Sequence, residues 1–200
     1  MIAPRRRLLV ATGSAHKLIE LQRLFGDLPI DLVTLLDLGI TDEAPEDGAT
    51  FEENALQKAR WYAQASGEWT LADDSGLEVA ALNGAPGVYT RRYAGPNATD
   101  VENYEKLLMV MRGVADRSAR FVCTMALIEP ANNSARTFRG ECPGHLTDAP
   151  RGGYGFGYDP IFEVDGRTMA ERAPAEKDAL SHRGRAAALV AAALRGEPQP

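Results

Sequence analysis

Two adjacent carboxylates, Asp73 and Asp74, suit a Mg²⁺ site or a general base. They follow an apolar run and precede Ser75 and Gly76, so they are predicted to lie where a strand ends. Mg²⁺ prefers oxygen ligands and binds through one or two carboxylates plus substrate phosphates, and a carboxylate beside that ion can deprotonate a water molecule. The alternative is an Asx-turn that simply ends the strand.

A glycine-rich, aromatic segment, RGGYGFGYDPIF at 151–162, predicts a pocket for a planar base. Glycine lets a backbone approach a ligand closely, and the aromatic rings offer a stacking surface. Lys177, with His182 and Arg183 farther along, would supply donors for phosphate and carbonyl oxygens. Taken alone, the segment is equally explained as a glycine-rich turn between two strands.

Residues 12–17, TGSAHK, are predicted to form the turn between a strand and a helix. The start of a helix presents N–H groups and the positive end of the helix dipole, which attract anions. Thr12 and Ser14 add hydroxyl donors, and Lys17 adds a positive charge. The segment matches neither a Walker sequence nor the GxGxxG fingerprint, and Ser14 is also explained as a helix cap.

An acidic loop, EAPEDG at 43–48, offers a second metal ligand, with Glu46 as the first choice and Glu43 in reserve. A solvated acidic loop is the alternative explanation for such a run. Lys58, on the helix that follows, is ambiguous in a similar way, because most lysines on helices are simply exposed.

The elements expected to position these residues alternate between helices and strands, so we expect an α/β fold with a mixed sheet flanked by helices. TFEE at 50–53 and TDVE at 99–102 have the pattern of capping boxes. The expected strands are 8–12, 31–35, 69–73, 77–81, 161–163 and a hairpin of 120–129 with 136–140, and the expected helices are 16–25, 50–66, 99–112 and one capped by Ser181.

Composition narrows the class of protein. The length of 200 residues predicts one domain, with room for two lobes around one sheet, and the net charge of −6 argues against non-specific binding to nucleic acid. No apolar run approaches the roughly 18 residues that span a membrane, and the apolar residues after the basic start are too few for a secretion signal. We therefore expect a cytoplasmic protein, with Cys123 and Cys142 as buried thiols.

Read together in this order, the segments resemble the inosine triphosphate pyrophosphatase family, over almost the whole chain. The matching pieces are ATG at 11–13 with Lys17, FEENA at 51–55, ADDSGL at 72–77, GAPG at 84–87 with Arg92 and Tyr93, GFGYDPIF at 155–162, Ala170-Glu171, Lys177 and SHR at 181–183. One departure is Ser14, where the family usually has Asn. Serine keeps a hydroxyl donor but lacks the amide, so a phosphate or water contact is expected to be rearranged.

The resemblance implies Mg²⁺-dependent hydrolysis of the deaminated purine nucleotides ITP, dITP and XTP to a monophosphate and pyrophosphate. It implies an elongated, twisted mixed sheet with two lobes, a central substrate cleft and a homodimer. Asp74 would be the general base and a metal ligand, Asp73 would support it, and Glu46 would be the second metal ligand. The residues that would bind the substrate are Thr12, Gly13, Ser14, Ala15, His16, Lys17, Lys58, Ser75, Phe156, Gly157, Tyr158, Asp159, Lys177, His182 and Arg183.

The expected selectivity has a physical basis. A 6-oxo purine presents an acceptor where adenine presents an NH₂ donor. A donor such as Arg183 or a backbone N–H would pair with the first and face an unpaired donor in the second. GTP shares the 6-oxo group, and its rejection would have to act at the 2-amino group. Two other functions fit parts of the sequence: a nucleotide-binding regulatory module without catalysis, and a dinucleotide-dependent enzyme, although the glycine fingerprint of the latter is missing.

Overall fold

The computed structural model describes residues 5–197, which form five α-helices and seven β-strands. The strands are β1 (Arg6–Val10), β2 (Ile30–Thr34), β3 (Trp69–Val79), β4 (Ser118–Glu129), β5 (Ser134–Leu146), β6 (Phe162–Val164) and β7 (Arg167–Thr168). The helices are α1 (Ala15–Phe25), α2 (Phe51–Ser66), α3 (Asp100–Val110), α4 (Pro174–Leu180) and α5 (His182–Arg195). Short 3₁₀ turns lie at Ala80–Leu82, Gly87–Arg92, Asp159–Ile161 and Met169–Glu171.

The seven strands form one sheet in the order β2-β1-β3-β4-β5-β6-β7. β1 pairs in parallel with both β2 and β3, so that Leu8 lies beside Leu32 on one side and Trp69 on the other. β6 pairs antiparallel with β5 and with β7. Parallel and antiparallel pairs in one sheet, with helices in the connections, confirm the expected α/β class with a mixed sheet.

The chain divides into two compact units, each with its own hydrophobic cluster. Of the described residues, the first unit comprises 5–74, 124–139 and 186–197, and the second comprises 75–123 and 140–185. In the first unit the cluster includes Leu9, Ala55 and Ala59; in the second it includes Leu77 and Phe162. Small alanines on α2 leave little side chain between this helix and its neighbours, and polar side chains on the same helix are buried with them.

The break expected between strands 69–73 and 77–81 is wrong, because β3 runs without interruption through Asp73, Asp74 and Ser75. The Asp-Asp-Ser-Gly run has the composition of a turn, but here the backbone stays extended. The two carboxylates therefore lie in the middle of a strand rather than at its end. Asp73 is 2% exposed, so its charge must be compensated by other side chains, whereas Asp74 is half-buried.

The predicted caps are confirmed at the starts of α1 and α3 and only in part at the start of α2. Ser14 caps α1, and Thr99 and Glu102 form a complete capping box at α3. At α2 the Thr50 side chain accepts from the Glu53 N–H, but the Glu53 carboxylate accepts from the N–H of Ala49 rather than from that of Thr50. The second half of the expected capping box is thus displaced by one residue.

The cap at Ser181 and the burial of both cysteines are confirmed, whereas one helix was not expected. Ser181 accepts a hydrogen bond from the N–H of Gly184 in the first turn of α5, as a cap does. Helix α4 was not foreseen. Cys123 and Cys142 are buried thiols. Within residues 5–197 no helix is both long and apolar enough to cross a membrane.

Candidate active site

The turn that leads into α1 is built as the sequence suggested. The Ser14 Oγ accepts from the N–H of Lys17 at 3.4 Å, and the Thr12 Oγ1 accepts from the N–H of Ser14 at 3.2 Å. Ala15 and His16 are exposed in the first turn of the helix. A Cβ added at Gly13 would meet no atom within 4 Å, so open space adjoins the backbone at this turn.

Both lysines of the predicted phosphate site contact Asp73. The Lys17 Nζ lies 2.9 Å from the Asp73 Oδ2. The Lys58 Nζ donates to the Asp73 backbone carbonyl at 3.1 Å, and it also forms an ion pair with the carboxylate of Glu46. Lys58 is buried rather than exposed on its helix, because α2 turns this side chain toward β3.

The acidic loop contributes one carboxylate, that of Glu46, to the ion pairs of the first unit. Glu46, the first choice from the sequence, pairs with Lys58, whereas Glu43 is exposed. Glu46 also lies close enough to Asp74 to act electrostatically on its carboxyl. The cluster of Lys17, Lys58, Glu46, Asp73 and Asp74, called the charged cluster below, has three carboxylates against two ammonium groups.

Burial and neighbouring charges shift two groups of the charged cluster. Burial lowers the pKa of the Lys58 ammonium, but the carboxylates around it outweigh burial and hold that pKa above its usual value. Burial raises the pKa of Asp74 above its usual value, and Glu46 adds to the rise. The cations of Lys17 and Lys58, and a hydrogen bond from Asn54, oppose this rise without cancelling it.

Asn54 is a polar residue to which the sequence assigned no role. It is 2% exposed; its Nδ2 donates to the Asp74 Oδ2 at 2.9 Å, and its Oδ1 accepts from the N–H of Gly48 at 2.8 Å. The available signal was its position one helical turn before Lys58, on a shared face of α2. That spacing could not identify Asp74, which lies twenty residues away, as its partner.

In the second unit, cations gather over a half-buried ring. The Lys177 Nζ lies 4.8 Å from the centre of the Phe156 ring, and the Arg183 Cζ lies 5.7 Å from it. Lys177 pairs with the Asp159 carboxylate at 2.6 Å, and Arg183 donates to the Ser75 Oγ at 2.8 Å. These five residues, all candidates from the sequence, lie together.

Two other candidates in this unit are buried, as Arg183, Asp159 and Lys177 also are. The Tyr158 side chain is 2% exposed, and its hydroxyl donates to the backbone carbonyl of Thr90, while burial raises its pKa. The His182 ring is 5% exposed and stacks on Phe121 with 4.7 Å between ring centres. A substrate contact by Tyr158 would thus have to use its backbone, and both assignments stay predictions.

The loop at Phe156 and Gly157 is held by two carboxylates. The Asp159 Oδ2 accepts from the N–H of Phe156 at 2.9 Å. Asp100, in the first turn of α3, accepts from the N–H of Gly157 at 2.7 Å. The sequence of residues 99–102 predicts only the start of a helix, and it contains no signal for a contact 57 residues along the chain.

The raised pKa of Asp74 predicts that the folded protein is less stable when this carboxyl is ionised. The Asp74 carboxyl binds its proton more tightly in the folded chain than in the unfolded chain. The free energy of unfolding therefore falls as the pH rises from the pKa of the unfolded state to that of the folded state, and it stays lowered at higher pH. At pH 7 without divalent ions, we expect Asp74→Asn to raise the melting temperature, by about 2–4 °C for each kcal/mol recovered. Calorimetry or circular dichroism would measure it.

The gain should shrink as the pH falls toward 3.8, the ordinary pKa of an Asp carboxyl, because the unfolded chain then also binds the proton. Glu43→Gln, a charge-removing change on the same loop at an exposed position, is the matched control and should move the melting temperature little. A lower melting temperature for Asp74→Asn at pH 7 would mean that the attraction to the two lysines outweighs burial.

Known proteins are similar to this chain in sequence and structure over nearly its full length. The Ham1 family model matches residues 8–193. The dITP/XTP pyrophosphatase of Mycolicibacterium paratuberculosis is 50% identical, with 94% of this chain and 95% of that protein covered. The dITP/XTP pyrophosphatase of Syntrophobacter fumaroxidans is 49% identical over 90% of this chain and 78% of that protein. The structure of a HAM1 protein from Coxiella burnetii has a TM-score of 0.88 and 43% identity, covering 96% of this chain and 99% of the other. The resemblance seen in the sequence is confirmed, and the chain belongs to the Ham1 family.

Proposed function

We propose that this protein is a nucleoside triphosphate pyrophosphatase that removes deaminated purine nucleotides from the nucleotide pool. It hydrolyses dITP, ITP and XTP to the monophosphate and pyrophosphate. Membership of the Ham1 family and relatives named dITP/XTP pyrophosphatase support the reaction class. The observation in the structure that carries the proposal is the charged cluster, in which two lysines and three carboxylates are gathered around β3 and α2.

The charged cluster suits a triphosphate bound together with Mg²⁺. Among the described residues no group of three Asp, Glu, His or Cys side chains could hold a metal by itself. Mg²⁺ commonly binds through one or two carboxylates and completes its shell with water and substrate phosphates. Asp74 and Glu46 interact electrostatically and supply oxygen ligands, and the excess negative charge of the cluster favours a cation. When bound, the ion would neutralise phosphate charge and polarise the scissile bond.

Each residue of the first unit has a role in the reaction. Lys17 and Lys58 hold phosphate oxygens, and so do the hydroxyls and N–H groups of the turn 12–17. Asp74 accepts a proton from a water molecule as the water oxygen forms a bond to the α-phosphorus. The bond from that phosphorus to the oxygen that bridges to the β-phosphate breaks, and pyrophosphate leaves with that oxygen. A carboxyl whose pKa burial has raised is a stronger base than an exposed one. Asp73 keeps Lys17 and Lys58 in place.

In the second unit, Phe156 and Arg183 recognise the purine. The half-buried Phe156 ring stacks on the base, and the Arg183 guanidinium donates to the 6-oxo group. Adenine would set an NH₂ donor against that guanidinium, and an unmatched buried donor is costly. Ser75, Gly157, Asp159, Lys177 and His182 complete this set of residues.

Three further properties belong to the proposal. The chain acts as one domain over residues 1–200, and it works as a homodimer, as the resemblance implies. It acts in the cytoplasm, because the nucleotide pool that supplies its substrates is there.

The reaction is tested by measuring pyrophosphate release from ITP, XTP, dITP, ATP and GTP, with and without Mg²⁺. We expect kcat/KM for the deaminated purines to exceed that for ATP and GTP by about 10²-fold or more. We expect no release when a chelator removes divalent ions. Equal rates on all five nucleotides would refute the selectivity, and an unchanged rate with chelator would refute the metal requirement.

The base assignment is tested by Asp74→Asn. This change should lower kcat for ITP by about 10²–10⁴-fold, the contribution typical of a positioned general base. Binding of ITP, followed by calorimetry without divalent ions, should persist because the lysines remain. The exposed-loop variant Glu43→Gln should hydrolyse ITP at nearly the wild-type rate. A near-wild-type rate for Asp74→Asn would refute Asp74 both as the base and as a metal ligand.

The base-recognition role is tested by Arg183→Met, which keeps volume but removes the donors. The ratio of kcat/KM for ITP to that for ATP should fall about tenfold or more, while the KM for the shared triphosphate moiety changes less. The melting temperature shows whether the variant is folded at the assay temperature. An unchanged ITP-to-ATP ratio in a folded variant would contradict the assignment.

A further inference from the structure

Asn54 links two segments of the first unit that the proposed reaction uses. Its side-chain amide donates to the Asp74 carboxylate on β3 and accepts from the N–H of Gly48 in the acidic loop. Lys58, one turn farther along α2, makes a parallel link between Glu46 and the Asp73 carbonyl. The lysine link is ionic and could be exchanged for a phosphate, whereas the amide link is neutral.

The chemistry of this position requires an amide. The carboxylate of Asp74 needs a donor, and the N–H of Gly48 needs an acceptor, so one side chain must present both within a buried space. Asn54 does so in only one orientation of its amide, and its burial leaves water little access to replace either hydrogen bond. An aspartate here would accept from Gly48 but could not, when ionised, donate to Asp74.

The acidic loop is shaped around this amide. A Cβ added at Gly48 would lie 2.8 Å from the Asn54 Oδ1 and 2.7 Å from the Glu53 Cβ, closer than side-chain atoms normally approach. Glycine at this position thus permits the close approach of the loop to α2. Because Glu46 lies two residues before Gly48, fixing Gly48 restricts where the Glu46 carboxylate can reach.

We propose that Asn54 is a positioning residue for the pyrophosphatase reaction, which holds the Asp74 carboxylate and the Glu46 loop in one fixed arrangement. Asn54 touches neither the substrate nor the ion; it acts through Asp74 and Gly48. Residues that orient metal-binding or catalytic carboxylates commonly contribute about 10–100-fold to activity or metal affinity. The inference rests on the proposed role of Asp74 and extends it to a residue outside the ligand set.

The chain offers a matched control in Gln57, on the same helix. The Gln57 side chain also contacts the acidic loop: its Nε2 donates to the Asp47 Oδ1 at 2.7 Å, and its Oε1 accepts from the Asp47 N–H at 3.4 Å. Gln57→Ala therefore loosens the loop without removing the donor to Asp74. Asn54→Ala removes both the loop contact and that donor.

The experiment compares wild type with Asn54→Ala, Asn54→Asp and Gln57→Ala. Steady-state rates on ITP over a range of Mg²⁺ concentrations give kcat, KM and the Mg²⁺ requirement, and amide hydrogen exchange by NMR without metal reports on the N–H of Gly48. Both Asn54 variants should lose about 10–100-fold in kcat or need correspondingly more Mg²⁺, with a smaller change in KM for ITP. Gln57→Ala should stay within about twofold of wild type.

Hydrogen exchange separates positioning from simple loop order. In Asn54→Ala the N–H of Gly48 should exchange faster than in wild type. In Asn54→Asp the new carboxylate still accepts from Gly48, so protection should remain while kcat falls. Asn54→Asp also preserves the shape of the side chain, so it carries the test if Asn54→Ala does not fold. Wild-type kcat and Mg²⁺ requirement in a folded Asn54→Asp variant would overturn the proposal.

Asp74→Asn, assayed alongside, distinguishes failure of this inference from failure of the proposed function. If Asp74→Asn is inactive and the folded Asn54 variants are fully active, Asn54 has no positioning role although the base assignment stands. If Asp74→Asn retains activity, the base assignment fails first. The double variant Asn54→Ala with Asp74→Asn should lose less activity than the product of the two single losses, because part of the action of Asn54 runs through the Asp74 carboxylate; losses that multiply in full would contradict this.

Discussion

The structure of the first unit depends on compensating charge in the middle of a strand. An isolated carboxylate in a poorly hydrated position is costly, and a second one beside it adds repulsion. Lys17 and Lys58 supply the compensation from two different helices, α1 and α2. The two helices must therefore pack closely on the sheet, and the alanines of α2 make this possible because they occupy little volume. Close packing of α1 and α2 on the sheet and compensation of the carboxylate charges therefore depend on each other in this part of the chain.

The two lysines compensate the charge of the carboxylates only in part. The lysines do not cancel the effect of burial on Asp74, whose carboxyl keeps a raised pKa. A group held in this way is less stable in its charged form and correspondingly more reactive toward a proton or a cation. The second unit uses charge differently: Lys177 is matched by one buried carboxylate, Asp159, and both lie beside an aromatic ring. The guanidinium of Arg183 lies over the same ring, so two cations there face one carboxylate.

Local patterns predicted much of the fold, and long-range contacts account for what they missed. The caps at Ser14, Thr99 and Ser181 follow from residues within three or four positions, so the sequence contains the whole signal. Pro174, at the first position of α4, is the local signal for the start of this unexpected helix. The continuity of β3 was not readable, because the turn-like run around Asp74 is overridden by partners elsewhere in the chain.

The candidate site shows the same division. Motif order along the chain identified the family and most of the charged residues, because each motif is compact. The roles of Asn54 and Asp100 were missed, since a helical position predicts which face a side chain occupies but not which distant atom it meets. Tyr158 is the converse case: its position within an aromatic run suggested the ligand, whereas its hydroxyl bonds to Thr90 in the interior.

Gly155 limits how this protein could acquire a new preference for its base. Its φ of +77° already disfavours any side chain, and a Cβ there would overlap the Asp159 Oδ2 at 2.1 Å. A substitution would push away the carboxylate that Lys177 and the N–H of Phe156 both bind. Substitution at Gly155 would therefore disturb the loop itself, whereas the Phe156 side chain can be exchanged without removing the N–H that binds Asp159.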